Sequence, residues 1–194
     1  MTSIIVGLGN AGDRYVGTRH NVGFEIVGLV ARELNAREQP AERLYCWATA
    51  DSEHGRLVLA WPTTFMNRSG FAVSDILQRF PAAADEILVV TDDFNLPLGR
   101  IRIRPGGSDG GQKGLRSVAQ AIETEEFPRL RVGIGPLPTD ADPVHFVLSA
   151  FTPPELEIVQ KTVAVAAKAV IFATRHPISE VMAQFNNTNP ALPE

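Results

Sequence analysis

The chain has 194 residues, of which 44% are hydrophobic and 21% charged, a composition typical of one globular domain and unlike that of a fibrous or low-complexity protein. Its net charge of −4 argues against a protein that coats nucleic acid over its whole surface, although a local basic patch would be hidden in this average. The single cysteine, Cys46, can close no internal disulfide, which favours a reducing compartment.

The N-terminal residues lack the basic segment, apolar stretch and small-residue cleavage site of a secretion signal. No stretch of the sequence approaches the ~20 apolar residues that are needed to span a membrane. Neither a linker nor an internal repeat is visible. We therefore expect a soluble, cytoplasmic protein without a membrane partner, folded as a single domain over residues 1–194.

Hydrophobic periodicity predicts strands and helices along the first half of the chain. Residues 3–8 form a short β-branched run that leads into a glycine turn, which is typical of a buried strand. Turn-forming residues at 51–55 separate two strand-like stretches and predict a hairpin. The predicted elements are a strand at 3–8, a helix at 21–34, strands at 45–49 and 57–60, and a helix at 69–80 that Pro81 ends.

The second half of the chain continues this alternation. Apolar and basic residues alternate over residues 101–104, which predicts a half-exposed strand. Thr152 and Glu155 have the spacing of a capping box ahead of the last predicted helix. The predicted elements are strands at 87–90 and 101–104, a helix at 115–122, a strand at 130–134 and a helix at 156–172. This order predicts an α/β fold, a single-domain three-layer sandwich in which a twisted mixed sheet with a parallel core is flanked by helices.

Residues 7–12 (GLGNAG) fit the pattern G-x-G-x-x-G that follows the first strand of dinucleotide-binding folds. In that motif a helix begins within the glycine turn, so that its N-terminus meets the pyrophosphate, whereas here the helical periodicity begins only near Asn21. The acidic residue expected after a second strand is also missing, because Glu33 falls inside the predicted helix. The pattern disfavours a nucleotide-dependent oxidoreductase and favours a tight turn, which explains Asn10 least well.

Polar residues gather at the predicted strand ends, where α/β proteins place their sites. The groups are Asn10, Tyr15 and His20 after the first strand, residues 62–70 (PTTFMNRSG) before the second helix, and Asp92 and Asp93 just past the strand at 87–90. An imidazole backed by a carboxylate can activate water, because the carboxylate fixes the tautomer and stabilises the imidazolium. The carboxamides of Asn10 and Asn67 can hold a scissile carbonyl and its developing oxyanion. Since no serine has a G-x-S-x-G context, these residues favour hydrolysis by water directly.

The residues alone leave structural roles open for the same side chains. A lone histidine is usually structural or solvated, and placement at a strand end favours His20 as a base without deciding its role. The alternatives are a structural role for His54, His145 and His176, a turn-capping role for Asp92 and Asp93, and a core position for Tyr15 and Phe65.

A basic segment at residues 96–120 stands out in this acidic protein. It contains one acidic residue, Asp109, and five basic residues, which are Arg100, Arg102, Arg104, Lys113 and Arg116. The three arginines at alternate positions are predicted to share one strand face, and the glycine-rich loop at 105–114 leads into a helix. Exposed backbone N–H groups and a helix N-terminus suit phosphate, but the Walker-A spacing is not met. We interpret the segment as a contact for a nucleic-acid backbone, with a solvated strand face and flexible loop as the alternative.

Taken together, the motifs resemble those of bacterial-type peptidyl-tRNA hydrolase. The matching segments run in order over nearly the whole chain. They are residues 7–10 (GLGN), Tyr15, residues 18–23 (TRHNVG), 62–70 (PTTFMNRSG), 92–93 (DD), 96–99 (LPLG), 106–114 (GGSDGGQKG) and 127–135 (FPRLRVGIG).

The resemblance implies a monomeric enzyme without cofactor or metal that cleaves the ester between a peptide and the 3′ terminal ribose of tRNA. It makes His20 the general base, Asp92 the residue that stabilises its working form, and Asn10 the residue that separates N-blocked substrates from free aminoacyl-tRNA. It implies that the partner is peptidyl-tRNA, bound through its 3′ CCA end and acceptor stem. The residues implied to line the site for the 3′ end are Tyr15, Phe65 and Asn67, with the loop at 107–114 as one rim.

One departure concerns the glycine-rich loop, where the family usually has His-Asn and this chain has Gln112 and Lys113. The asparagine is a tRNA-contacting residue in the family, and Lys113 can meet a phosphate or ribose instead, as a point charge. The altered loop leaves room for a second hypothesis, a hydrolase-derived RNA-binding protein such as the plant organelle splicing factors of this fold. The intact residues Asn10, His20, Asn67 and Asp92 count against it.

Overall fold

A seven-stranded sheet forms the centre of the computed structural model, which describes residues 2–53 and 55–187 and leaves His54 outside the described residues. Its strands are β1 (Ile4–Gly7), β2 (Arg37–Glu38), β3 (Tyr45–Ser52), β4 (Gly55–Pro62), β5 (Ile87–Pro97), β6 (Ile101–Arg104) and β7 (Arg129–Gly135). They lie in the order β2-β3-β4-β1-β5-β7-β6. Strands β4, β1, β5 and β7 are parallel, and the pairs β2–β3, β3–β4 and β6–β7 are antiparallel.

Helices cover both faces of the sheet. They are α1 (Val22–Glu33), α2 (Ser69–Arg79), α3 (Lys113–Ile122), α4 (Pro143–Leu148), α5 (Pro153–Ala173) and α6 (Ile178–Phe185). Helices α1, α5 and α6 pack in one hydrophobic cluster against the sheet, and α2 and α3 pack in a second cluster on the opposite face. This confirms the predicted three-layer sandwich with a mixed sheet and a parallel core. None of the helices in the described part of the chain is long and apolar enough to cross a membrane.

Strand β1 belongs to both hydrophobic clusters. Ile5 faces the cluster of α1 and α5, whereas Ile4 and Val6 face the cluster of α2 and α3, and each of the three side chains is at most 2% exposed. A strand in the middle of a three-layer sandwich is buried on both sides, which explains why the sequence shows a continuous β-branched run there and not an alternating one.

The end of β5 differs from the prediction. We predicted a strand that stops at Val90, but β5 continues to Pro97, so that Asp92 and Asp93 lie inside the strand and not past its end. The pairing with β1 does stop at Val90, opposite Gly7, while the pairing with β7 continues through Asp93. The two acids therefore project beyond the end of β1, where the sheet opens. Apolar periodicity misses such an extension, because a strand end with polar side chains lacks the pattern of a buried strand.

The sequence analysis also missed three short elements, one of which, α6, follows the helix that was predicted to be the last. Strand β2 has two exposed residues, α4 has six residues, and α6 has eight residues after Pro177. Elements of this length offer too few residues for hydrophobic periodicity to show. Asp142, which caps α4 with its side chain ahead of Pro143, is the local signal that could have revealed that helix.

The predicted capping box of α5 also ties the helix to the loop that carries His20. The Glu155 carboxylate accepts hydrogen bonds from the backbone and the hydroxyl of Thr152, at 2.7 and 2.8 Å, and from Arg19 Nη2 at 2.7 Å. Arg19 is 5% exposed, and its guanidinium lies over the rings of Phe146 and Phe151. The residue next to His20 is thus anchored to both α4 and the start of α5.

This anchor makes the stability of the protein sensitive to acid. The hydrogen bond from Arg19, helped by those from Thr152, lowers the pKa of Glu155 from 4.5 to about 2. A depressed carboxyl pKa contributes stability above pH 4.5, and this contribution is lost as the pH falls from about 4.5 to 2. We expect Glu155→Gln to lower the free energy of unfolding at pH 7 by about 1–2 kcal/mol, after allowance for solvent screening.

Urea unfolding at a series of pH values measures this effect. The difference between wild type and the Glu155→Gln variant should shrink as the pH falls below 4.5. Glu157→Gln, the same change at an exposed position of α5, is the matched control. A constant difference between pH 7 and pH 2.5 would contradict the proposed link to ionisation.

Candidate active site

A cleft of about 590 Å³ opens beyond the end of β1, beside the part of β5 that extends past it. It is bounded by the loop after β1, the turn before α2, the end of β5, the glycine-rich loop before α3, and α4. All seven residues predicted for the site line this cleft: Asn10, Tyr15, His20, Phe65, Asn67, Asp92 and Lys113. The side chains expected at strand ends, from Asn10 to Asp92, thus meet in one cleft, and Lys113 of the basic segment lines it as well.

His20 and Asp92 form a pair in the cleft. The Nδ1 atom of His20 lies 2.8 Å from Oδ2 of Asp92, and the two side chains are 13% and 2% exposed. A carboxylate at this distance favours a proton on Nδ1, which leaves the lone pair of the neutral ring on Nε2. The pair can therefore present a basic nitrogen to a molecule in the cleft, and the turn-capping role considered for Asp92 is wrong.

Asp92 is held from its other side as well. Its Oδ1 atom accepts a hydrogen bond from Gln112 Nε2 at 2.9 Å and a longer one from the Thr91 hydroxyl at 3.3 Å. Both oxygens of this buried carboxylate are thus engaged, which fixes its plane relative to the imidazole. Sequence reasoning did not assign Gln112 to the site, although its position next to Lys113 had already set it apart.

The side-chain amide of Asn10 has a defined orientation. Its Oδ1 atom accepts a hydrogen bond from the backbone N–H of Met66 at 2.8 Å, so the amide nitrogen is the group left to donate toward the cleft. Asn21 holds the backbone of Asn10 on both sides, by accepting from its N–H at 2.8 Å and donating to its carbonyl at 3.0 Å. Asn21 is a positioning residue that sequence reasoning missed, since only the fold brings it against Asn10.

The glycine turn serves this close packing. A Cβ atom at Gly9 would lie 2.9 Å from Asn21 Oδ1 and 2.8 Å from the ring of Phe24. Helix α1 begins at Val22, outside the glycine turn, as the periodicity predicts and unlike the helix of a dinucleotide-binding motif. Gly7 and Gly9 therefore allow the turn and the start of α1 to approach each other.

Aromatic and amide side chains form the rim of the cleft. Phe65 is 54% exposed, and Tyr15 is half-buried in a short 3-10 turn, so neither is the core aromatic that the sequence left open. The Arg14 guanidinium lies 4.6 Å from the centre of the Tyr15 ring, which adds a positive charge to this side of the rim. Asn67 is exposed on the 3-10 turn Met66–Arg68 that precedes α2.

Asp93 has partners different from those of Asp92. Its Oδ1 atom accepts from the backbone and side-chain nitrogens of Asn95, at 2.9 and 3.2 Å, and Arg131 Nε lies 3.1 Å from its Oδ2. Asn95 and Arg131 in turn donate to the carbonyls of Gly110 and Asp109 in the glycine-rich loop. The second acid thus supports the loop, while the first supports His20.

The basic segment does not form one continuous patch. Arg102 and Arg104 point outward from the edge strand β6 and do not line the cleft, and Arg100 precedes that strand and is half-buried. The prediction of a shared strand face is therefore wrong for Arg100, because the strand begins only at Ile101.

Within the glycine-rich loop, the two cations also differ. Arg116 donates to Asp109 at 3.0 Å, and this hydrogen bond holds the pKa of that carboxyl below its usual value. The charge of Arg116 is thereby partly neutralised. Lys113 is exposed at the first residue of α3 and lines the cleft, so it is the cation of this loop that faces the site.

Within the part of the chain that the structure describes, no three histidine, cysteine or acidic residues cluster as metal ligands. The sandwich, with a paired imidazole and carboxylate and an oriented amide in one cleft, has the layout of an α/β hydrolytic enzyme.

Comparison with known proteins defines the family. The sequence-family model of peptidyl-tRNA hydrolase matches residues 4–192 of this chain. Peptidyl-tRNA hydrolase of Chlorobaculum parvum is 42% identical to this chain over 187 residues, which cover 95% of this chain and 98% of that protein. The enzyme of Thermotoga maritima is 40% identical over 184 residues, which cover 95% of this chain and 97% of that protein. The crystal structure of peptidyl-tRNA hydrolase from Acinetobacter baumannii is similar with a TM-score of 0.91 at 31% identity, covering 98% of this chain and 97% of that one. The chain belongs to the peptidyl-tRNA hydrolase family and is a hydrolase.

Proposed function

We propose that this enzyme hydrolyses the ester between a peptide, or an N-blocked aminoacyl group, and the 3′ terminal ribose of tRNA. The observation that carries this proposal is the contact of 2.8 Å between His20 Nδ1 and Asp92 Oδ2, in a cleft that Asn10 also lines. Membership of the family supports the substrate class. Release of free tRNA would recycle stalled peptidyl-tRNA, a role in ribosome rescue that we assign to a cytoplasmic monomer, with residues 1–194 acting as one domain.

The geometry suggests how the reaction proceeds. His20 Nε2 takes a proton from a water molecule, and the water oxygen attacks the ester carbonyl carbon. Asp92 stabilises the imidazolium that forms, and the amide nitrogen of Asn10 donates to the substrate carbonyl as negative charge develops on its oxygen. When the bond between the carbonyl carbon and the ribose oxygen breaks, the imidazolium returns the proton to that oxygen. The products are a free carboxylic acid and a tRNA with an intact terminal ribose.

The rim of the cleft supplies contacts for the tRNA. We assign Tyr15 and Phe65 to stacking against the exposed bases of the 3′ CCA end, since single-stranded bases stack on aromatic side chains. Asn67 would hydrogen-bond to the same end. Lys113, next to the cleft on α3, would meet a phosphate or ribose of the acceptor stem.

Cleavage of N-acetyl-aminoacyl-tRNA, with unblocked aminoacyl-tRNA as the control substrate, tests the proposal. We expect rapid release of the N-acetyl-amino acid and slow release of the free amino acid, because Asn10 would contact the blocked end. The rival hypothesis is an RNA-binding protein without activity, which the altered loop at Gln112 and Lys113 favours. Binding of both tRNAs without turnover would support that rival and exclude the enzyme.

Reversal of the charge at Lys113 tests its contact with the tRNA. We expect Lys113→Glu to raise KM by roughly 3- to 10-fold, with little change in kcat. The slope of log KM against the logarithm of the salt concentration should fall by about one. Initial rates at several salt concentrations measure both quantities. Lys161→Glu makes the same change at an exposed position of α5 outside the cleft. If Lys113→Glu left KM equal to that of this control at every salt concentration, the contact would be excluded.

A further inference from the structure

Gln112 occupies an unusual place, because one side chain serves both a helix end and the proposed catalytic pair. It is 7% exposed and precedes the first residue of α3. Its Oε1 atom accepts hydrogen bonds from the backbone N–H groups of Gly114 and Leu115, and thus caps the helix. Its Nε2 atom donates to Asp92 Oδ1 at 2.9 Å.

The cap determines which end of the amide meets Asp92. Two backbone N–H groups require an acceptor, so the oxygen of Gln112 must face the helix and the nitrogen must face the carboxylate. The opposite orientation would set donors against donors at the helix and an oxygen against the carboxylate. A second hydrogen of Nε2 lies toward Met66 Sδ, at 3.3 Å from the nitrogen, and that contact also fits a donor.

We propose that Gln112 is a positioning residue that binds Oδ1 of Asp92 and thereby presents Oδ2 to His20. The carboxylate is held between two groups on opposite sides, Gln112 on one oxygen and His20 on the other. Rotation of the carboxylate about its Cβ–Cγ bond would break both contacts. This inference rests on the proposed function, because the consequence for catalysis depends on His20 acting as the base.

Through Gln112, the glycine-rich loop is linked to the proposed catalytic pair. The amide of Gln112 connects Asp92 to the N-terminus of α3, the same helix end that carries Lys113. Movement of the glycine-rich loop would therefore shift the carboxylate of Asp92, and with it the imidazole of His20. Lys113 lines the cleft from the adjacent position. Of the two residues in which this loop departs from the family, Gln112 is thus assigned to positioning Asp92 and Lys113 to binding tRNA.

Two substitutions separate positioning from folding. Gln112→Glu keeps an oxygen for the helix cap but replaces the donor that faces Asp92 by a second oxygen. Gln112→Ser keeps a good N-cap but is too short to reach Asp92. For both variants we expect kcat to fall by about 10- to 100-fold, the size of a lost hydrogen bond to a charged group, with KM changed less than about twofold. Gln120→Glu, at an exposed position of α3, is the control.

The tautomer of His20 gives a readout that does not depend on turnover. In ¹⁵N NMR spectra of the labelled protein, we expect the wild type to carry the neutral-ring proton on Nδ1, and both variants to show a larger share of protonated Nε2. An unchanged tautomer together with an unchanged kcat in the serine variant would overturn the proposal. If the wild type itself cleaves no N-acetyl-aminoacyl-tRNA, the proposed function fails, while the tautomer of the variants still decides the role of Gln112.

Discussion

Replacement of His20 by alanine is expected to reduce cleavage of N-acetyl-aminoacyl-tRNA to background, while the affinity for tRNA stays nearly unchanged. General-base catalysis by a side chain contributes about 10²- to 10⁴-fold to a rate, and in this cleft the loss has no evident substitute. The remaining ionisable partner, Asp92, is 2% exposed on its side chain and lies behind the imidazole, so it cannot take the place of His20 toward a bound ester. The tRNA contacts assigned to Lys113 and the aromatic rim involve other side chains.

Single-turnover cleavage and a binding titration with tRNA measure the two halves of this prediction separately. His145→Ala is the matched control, since His145 is exposed on α4 and does not line the cleft. We expect this control to keep the wild-type rate. A His20→Ala variant that cleaved the substrate at the wild-type rate would show that the base assignment is wrong. A variant that lost both cleavage and binding would place His20 in substrate binding, contrary to the prediction.

The fold was predictable from the sequence to the extent that each element carries its own hydrophobic pattern. The long helix α5, its capping box and the alternation of β6 are local features, and the structure confirms them. The extension of β5 through Asp92 is not local, because β7 pairs with it there while β1 has already ended. Polar residues in a strand are stabilised by contacts with other elements, and periodicity within the segment contains no information about these.

The candidate site shows the same division. The residues predicted from strand ends line the cleft, because the carboxyl ends of parallel strands meet at one edge of a sheet. Lys113, predicted from the basic segment, lines it from the start of α3. The residues that hold the site in place were missed. Asn21 acts on the backbone of Asn10, and Gln112 acts on a carboxylate that lies 20 positions earlier in the chain. Both residues lie in segments that resemble the family, but their side-chain partners depend on the final packing and cannot be read from the sequence.

Asp92→Asn is expected to lower kcat by about 100-fold or more, because it would place the wrong tautomer of the imidazole in the cleft. Gln112 Nε2 donates to the Oδ1 position, so an asparagine there must turn its oxygen toward Gln112 and its amide nitrogen toward His20. The imidazole would then accept at Nδ1 and carry its proton on Nε2, where a base needs a lone pair.

This substitution changes volume very little, so a lower rate with unchanged thermal stability would reflect the protonation of the ring and not unfolding. Asp51→Asn, at an exposed position of β3 away from the cleft, is the control for the same chemical change. Rates and melting temperatures of both variants, together with the ¹⁵N shifts of the His20 ring, test the argument. A wild-type kcat in Asp92→Asn would contradict it, since the carboxylate would then contribute neither the tautomer nor stabilisation of the imidazolium. Because the asparagine orientation depends on Gln112, combining Asp92→Asn with Gln112→Ser should lower kcat by less than the product of the two single effects.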